Sequence, residues 1–230
     1  MTRLHEYGTR RQLAEALAAG VAAVLGGGIA ARGSAVLAVS GGTTPALFLS
    51  RLSEADIAWE SVAVTLVDER FVPSDHPRSN FRLLNETLLR NRAAAATAVP
   101  LCDGCDDLDA AARIADRRIA GLGRIDAAIL GMGTDGHTAS FFAGGDRLAE
   151  ALDPSSRRHV VAMMAPGVPE PRLTLTLRYL LDAHFLALHI EGKDKKTVCK
   201  AALGDGPVEQ MPVRAVIRGA GDRLNLFWAP

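Results

Sequence analysis

The sequence predicts an α/β protein built on a mostly parallel sheet that helices cover on both faces. Three observations carry that expectation. Strand-like and helix-like segments alternate along the 230 residues with short connections between them, the pattern of successive β-α-β units. The strand candidates are continuous apolar runs, as burial on both faces demands, not the alternating runs of a half-solvated sheet. Apolar residues make up 48% of the chain against 23% charged, enough for a sizeable core. No internal repeat, low-complexity tract or linker divides the chain, so one domain over 1–230 is expected.

Residues 9–25 place Leu13, Ala16, Leu17, Val21 and Val24 at helical spacing, and the run GGG at 26–28 is expected to end that helix. SAVLAV at 34–39 is a short buried strand. It leads into SGGTTP, where Thr44 can cap a helix whose first residue is Pro45. VAVTLV at 62–67 is a second buried strand that runs straight into the polar sequence DER. Ser79 is the expected cap of the next helix, with Phe81, Leu84 and Leu88 on its inner face. A helix over 107–122 leads to the strand IDAAIL at 125–130 and then to LGMGTDGHTASFF at 130–142. VVAMM, RLTLTL and HFLALHI are later strand candidates, and RLTLTLRYLL can pass into helix midway. Residues 194–203 read as helix and LNLFW as a last strand.

Lys plus Arg equals Asp plus Glu at 26 each. The balance argues against a nucleic-acid partner, which normally leaves a basic excess. No apolar run is expected to reach the roughly 20 residues of a membrane span. The N-terminal sequence MTRLHEYGTRRQLAEAL has no apolar core of a secretory signal. A cytoplasmic protein without a membrane or nucleic-acid partner is expected; the residues leave the oligomeric state open. Cys102 and Cys105 form CDGC, a spacing compatible with redox chemistry or half a zinc site. No second ligand pair accompanies it, and it falls in a Pro/Asp/Gly-rich connection. Both are read as loop cysteines, with Cys199 on the apolar face of a helix.

In parallel sheets ligands collect at the carboxyl ends of the strands. Three strands end in unusual polar sequence: AVLAV into SGGTTP, VAVTLV into DER, and IDAAIL into GMGTDGHTAS. Glycine turns alone do not explain why Asp68, Glu69, Arg70, Asp135 and His137 stand at those same ends. Gly41 and Gly42 let backbone N–H groups approach an anion, while Ser40, Thr43 and Thr44 offer hydroxyls. The loop lacks the lysine of a P-loop, which disfavours a nucleoside triphosphate. GMGTDG lies too far along the chain for a dinucleotide fingerprint. His137, two residues after Asp135 at a strand-to-helix junction, suits a general base at neutral pH. The other histidines lack such company: His184 and His189 flank or sit in a strand, His76 is in a loop, and His5 and His159 read as surface residues.

These motifs resemble those of the 6-phosphogluconolactonases. The shared segments run almost end to end: SGGTTP at 40–45, VDERFVPSDHPRSN at 67–80, LGMGTDGHTASFF at 130–142, RLTLTL at 172–177 and EGKDKK at 191–196. The chain departs from the family pattern at Ala143, where proline is usual, and CDGC belongs to no family motif. The resemblance implies a Rossmann-like three-layer α/β/α sandwich. It also implies hydrolysis of 6-phospho-D-glucono-1,5-lactone to 6-phosphogluconate, with no metal or organic cofactor.

Under that reading His137 deprotonates water that attacks the lactone carbonyl, and Asp135 orients its imidazole. Arg70 reaches either the lactone oxygen or the phosphate, and Asp68 holds sugar hydroxyls or Arg70. The phosphate lies on Ser40, Gly41, Gly42, Thr43 and Thr44, with Arg172 and Lys195 supplying charge. Lys195 is preferred over its neighbours because it matches the family's G-x-x-K spacing from Gly192. Gly131, Gly133 and Gly136 are expected to let the chain turn tightly beside the sugar. Two other readings have sequence arguments against them. A deaminase of the same fold carries tyrosine where Arg70 stands, and a segment Asn-Glu-Pro where this chain has SFFAGGD. A non-catalytic sugar-phosphate sensor has no need of the Asp135/His137 pair.

Overall fold

Seven short strands pair side by side, the central ones apolar and buried on both faces, and all their pairings are parallel. In the computed structural model, which describes residues 2–102, 104 and 106–230, the strands are β1 (Arg3–Glu6), β2 (Ala35–Val39), β3 (Val62–Leu66), β5 (Thr97–Val99), β6 (Ala127–Leu130), β9 (Phe185–Glu191) and β10 (Leu224–Ala229). Their order across the sheet is β1-β10-β9-β6-β2-β3-β5. Helices flank this sheet in a three-layer α/β/α arrangement. The chain therefore walks outward from β2 through β3 to β5, then returns to lay β6 against the other edge of β2. That reversal between β2 and β6 is the topological switch point, where the loops diverge and leave a crevice.

The register brings the strand ends level. Val39 pairs with Leu66 on one side and Ile129 on the other, and Leu130 pairs with Leu188. Ser40, Asp68, Gly131 and the end of β9 consequently emerge at one edge of the sheet.

The strand candidates VVAMM and RLTLTL do not join the parallel sheet. They form β7 (Val160–Met163) and β8 (Arg172–Leu175) of a separate three-stranded sheet with β4 (Asp68–Arg70), in the order β4-β8-β7 and antiparallel throughout. DER, read as the polar end of a strand, is itself a strand. RLTLTLRYLL does turn into helix, α6 (Leu177–Leu181).

α1 (Arg10–Arg32) runs straight through GGG and ends at Gly33, whose φ is 79° and whose N–H donates to the Ile29 carbonyl. Each glycine inside a helix costs about 1 kcal/mol relative to alanine. Packing overrides that cost, because Leu13, Leu17, Val21 and Leu25 are fully buried on one face. Gly28 also has a steric reason, since a Cβ there would lie 2.7 Å from Asp126 Oδ1. Asp126 pairs with Arg32 and accepts from Val36 N at 2.9 Å. By length and composition α1 is apolar enough to cross a membrane, contrary to the expectation that no segment is; here its apolar face packs on the sheet and on α2 (Ala46–Leu52).

Thr44 does not cap α2, whose N-cap is Pro45 with no side-chain bond. Ser79 does cap α3 (Asn80–Thr87), accepting from Phe81 N and Arg82 N. α4 (Leu108–Ala120) is capped by Asp107, and Cys199 is buried on α7 (Lys193–Leu203), where burial pushes its thiol up to about 11. Cys102 is half-buried and packs against the core, and Cys105 lies outside the described residues. The remaining helices are α5 (Leu148–Leu152) and α8 (Val213–Ala220).

Candidate active site

A cleft of about 240 Å³ opens at the switch point. It gathers Ser40 to Thr44, Asp68, Arg70, His137 and Lys195, so nine of the eleven residues expected from sequence line one cavity. Asp135 and Arg172 do not line it.

The floor is built by β2 and β6. Ser40 N donates to the Ile129 carbonyl at 2.9 Å, and Ser40 Oγ accepts from Gly131 N at 3.0 Å. Ser40 thus staples the two loops together. Beyond it the turn 133–137 closes through Gly133 N donating to the His137 carbonyl at 2.9 Å and Gly136 N to the Gly133 carbonyl at 3.1 Å. This turn carries the histidine–aspartate pair, with His137 Nδ1 2.6 Å from Asp135 Oδ1. A Cβ at position 133 would sit 2.3 Å from the imidazole and 2.4 Å from the carboxylate, so glycine is what lets the pair form. Gly131 carries no such demand, because a Cβ there would meet Ser40 at an ordinary 3.8 Å.

Asp135 stands behind the ring, away from the cleft. The hydrogen bond to His137 lowers its carboxyl to about 2, so it is ionised at neutral pH. Anionic Asp135 favours the tautomer with the proton on Nδ1, which leaves Nε2 as the basic nitrogen. The ring also packs on Phe142, with centroids 4.7 Å apart.

The opposite wall is β4, whose Asp68 and Arg70 line the cleft while Glu69 faces the other way. Asp68 Oδ2 accepts from Ser140 Oγ at 2.6 Å, while the Arg70 guanidinium bonds the Arg78 carbonyl. Among the described residues Asp68 and Arg70 thus bond other groups, Ser140 and Arg78. Glu69 turns inward, 2% exposed, and accepts from Arg70 N (2.7 Å), Asn80 N (2.8 Å), Phe81 N (2.7 Å) and Ser79 Oγ (3.0 Å). Burial pushes its carboxyl above the usual range, against the pull of those four donors. It pins the start of α3 to β4 and so sets where Asp68 and Arg70 emerge.

The roof is α7. Lys195 Nζ donates to Thr44 Oγ1 at 3.1 Å, joining α7 to the 40–44 loop, and burial lowers its pKa. Its neighbours are elsewhere: Lys193 is exposed, and Lys196 lies 3.5 Å over the Trp228 ring and pairs with Glu6 at 2.7 Å. Arg172 is 8% exposed on β8, 5.9 Å from the Phe142 ring and 3.7 Å from Glu170. Burial and then the nearby charge of Arg70 lower its pKa. It is the cross-strand partner of Arg70 on the β4–β8 ladder and shares its face, but it does not line the cleft where it was expected.

Asn80 and His189 line the cleft without having been singled out in the sequence. Asn80 Nδ2 donates to the Asp68 carbonyl at 2.8 Å, and its amide fits only because residue 41 is glycine, where a Cβ would lie 1.9 Å from Asn80 Oδ1. An Asn right after a capping Ser looks like the ordinary first turn of a helix, so its sequence signal is faint. His189 was placed in a strand; its Nε2 lies 3.2 Å from Glu191 Oε1. His5 and His159 are not bare surface residues: His5 stacks on Phe227 at 4.6 Å, and His159 meets Tyr179 edge-on at 4.8 Å. Among the described residues no group of three His, Cys, Asp or Glu could hold a metal ion.

Fold and cleft together define an α/β protein of the sugar-phosphate-handling kind, with a histidine–aspartate pair, two cations and a hydroxyl-rich loop around one small cavity. The family model for glucosamine-6-phosphate isomerases/6-phosphogluconolactonase matches residues 8–228. The chain belongs to this family. It is 52% identical over 228 residues to the 6-phosphogluconolactonase of Rhizobium meliloti strain 1021, covering 99% of this chain and 98% of the relative. It is also 52% identical to that of Mesorhizobium japonicum, over 96% and 92% of the two chains. A solved 6-phosphogluconolactonase from Shewanella baltica OS155 superposes with a TM-score of 0.96 at 35% identity, over 100% and 98% of the chains.

Proposed function

We propose that this protein is a 6-phosphogluconolactonase, a carboxylic ester hydrolase that converts 6-phospho-D-glucono-1,5-lactone to 6-phospho-D-gluconate in the oxidative pentose phosphate pathway. The relatives support the reaction; the observation that carries the mechanism is the His137–Asp135 pair at the cleft wall, 2.6 Å between Nδ1 and Oδ1. His137 Nε2 takes a proton from water as the oxygen attacks the lactone carbonyl carbon. The tetrahedral intermediate places negative charge on the former carbonyl oxygen, and Arg70 supplies the fixed positive charge that stabilises it. Collapse breaks the bond from carbon to ring oxygen, which takes up the proton held by the imidazolium. Asp135 holds the imidazole in the right tautomer and stabilises its cation.

The substrate phosphate lies on the 40–44 loop, gripped by Lys195 and the hydroxyls around it. Asp68, fixed by Ser140, holds sugar hydroxyls. Arg172, beside Arg70 across β4 and β8, adds positive charge next to the cleft. The whole chain serves as one domain in the cytoplasm. Fresh lactone, with spontaneous hydrolysis subtracted, is the decisive substrate. Hydrolysis accelerated by the protein, and unchanged after exhaustive treatment with EDTA, is the expected result. A rate no greater than the spontaneous one would overturn the activity. Loss on chelation with recovery on adding a divalent metal would reassign Asp135 and His137 as ligands.

A further inference from the structure

The cleft above occupies the carboxyl ends of the strands. A second cavity, of about 460 Å³, opens at the opposite end, where β6, β7, β9 and β10 begin. Arg124, Arg158, Arg178 and Arg223 all line it. The one carboxylate among its lining residues is Asp182, an excess of three positive charges in a chain whose cations and anions balance at 26 each.

Three of these arginines, like Arg90, Arg214 and Arg218 elsewhere, bond backbone carbonyls, and here they share one cavity. Arg82, Arg92 and Arg147 each pair with a carboxylate. Arg124, Arg178 and Arg223 have only backbone carbonyls as partners among the described residues: Arg124 Nε donates to Asp182 O at 2.6 Å, Arg178 Nη1 to Ser156 O at 2.8 Å, and Arg223 Nη1 to Leu181 O at 2.8 Å. A carbonyl fixes the side chain by one N–H, leaves the other donors of the guanidinium available, and leaves its charge uncompensated. Arg158 is loosely paired with Glu150 at 3.4 Å. The surrounding frame is also fixed. Tyr179 donates its hydroxyl to the Gly123 carbonyl at 2.7 Å, and the Asp116 carboxylate accepts from His159 N at 2.6 Å and Val160 N at 3.0 Å. Arg124, Arg178 and Arg223, gathered here without a carboxylate partner among the described residues, are stabilised when an anion enters between them.

We propose that this cavity is a second anion-binding site, separate from the catalytic cleft, for a small molecule carrying two phosphate groups or a diphosphate. Planar guanidinium forks match the oxygen pairs of phosphate, and the volume falls within the range of small-ligand sites. The spread of donors favours two phosphates. One phosphate monoester can engage only part of a set of four guanidinium groups, whereas two phosphates or a diphosphate offer oxygens to several of them at once. The inference stands independently of the lactonase reading.

Titration calorimetry with inorganic diphosphate at about 0.15 M salt, where surface charges are screened beyond ~8 Å, tests it on three proteins. The doubly substituted Arg178→Gln/Arg223→Gln protein should bind diphosphate at least tenfold more weakly than the unsubstituted protein. Lys195→Ala should bind it with the same affinity, because that lysine belongs to the other cleft. Inorganic phosphate should bind tenfold or more weakly than diphosphate. Lactone hydrolysis by the double variant, without diphosphate, should be unaltered. Arg124→Gln alone, at a single exposed contact, serves where the double variant melts early, and should weaken binding several-fold. Equal affinity in the arginine variants, loss of binding only in Lys195→Ala, or no binding at millimolar diphosphate would each overturn the proposal.

Discussion

His137 and Asp135 meet because of a turn, not because of a helix or strand period, and the proposed chemistry of the cleft depends on that meeting. His137→Ala removes the proposed base and should lower kcat by roughly 10²–10⁴, with KM nearly unchanged, because in the proposed mechanism the imidazole meets water and not the phosphate. Steady-state rates on fresh lactone decide it; near-normal turnover by the folded variant would remove His137 from the mechanism. Asp135→Asn keeps the shape but loses the anion, and should lower kcat by a smaller factor than loss of a buried triad carboxylate, since the Asp135 side chain is 64% exposed and water replaces part of its effect. The same pair has a pH signature. Asp135 falls from 3.8 to about 2 on folding, so the stability it contributes is present above about pH 4 and lost as pH falls through 2. The melting-temperature gap between the native protein and Asp135→Asn should therefore close between those values; a gap constant with pH would mean that His137 does not hold the carboxylate. This pair was legible in the sequence because Asp-Gly-His at a strand end is a compact signal. Asn80 was not, since its importance lies in touching Gly41, 39 positions earlier, which no local pattern records.

At the scale of elements, what was readable follows burial. β2, β3, β6 and β9 are buried on nearly every residue and announce themselves as apolar runs. β1, with its mostly exposed sequence RLHE, exists only because β10 offers it an edge, and β5 is three residues long; neither carries a period to find. GGG misled because a breaker's cost of about 1 kcal/mol per glycine is small against a helix face of fully buried leucines. α7 supplies the element-scale prediction. It reaches across the sheet edge to put Lys195 on Thr44, and charge-assisted bonds to phosphate are each worth about 1.5–3 kcal/mol. Lys195→Ala should raise KM roughly 10–100-fold, at about 1.4 kcal/mol per factor of ten, and lower kcat as well if the phosphate grip positions the carbonyl. Unphosphorylated gluconolactone, a poor substrate, should be hydrolysed no differently by the variant. Equal losses on both lactones would place Lys195 in the fold or the chemistry instead of the phosphate grip.

On the scale of the whole molecule, the cleft is assembled from segments spread between residues 40 and 195 and from two sheets. The small sheet has strands of only three or four residues, too little for stability of its own. Its junction with the large sheet is direct: Val67 N donates to the Val39 carbonyl and Leu175 N to the Val67 carbonyl, both at 2.9 Å. Asp68 and Arg70 stand at that junction, whereas the two tryptophans report on the large sheet. Trp59 is buried just before β3, and Trp228 lies in β10. Chains beyond about 150 residues often unfold through intermediates, so loss of activity could precede loss of tryptophan signal if the small sheet opened first. The shared backbone bonds and the buried Glu69 argue that it does not. In a urea titration followed by lactone turnover and by tryptophan fluorescence, the two midpoints should coincide within error. An activity midpoint at clearly lower urea would show that β4, β8 and β7 open as a separate unit, and that the β4 wall of the cleft is held less firmly than its hydrogen bonds imply.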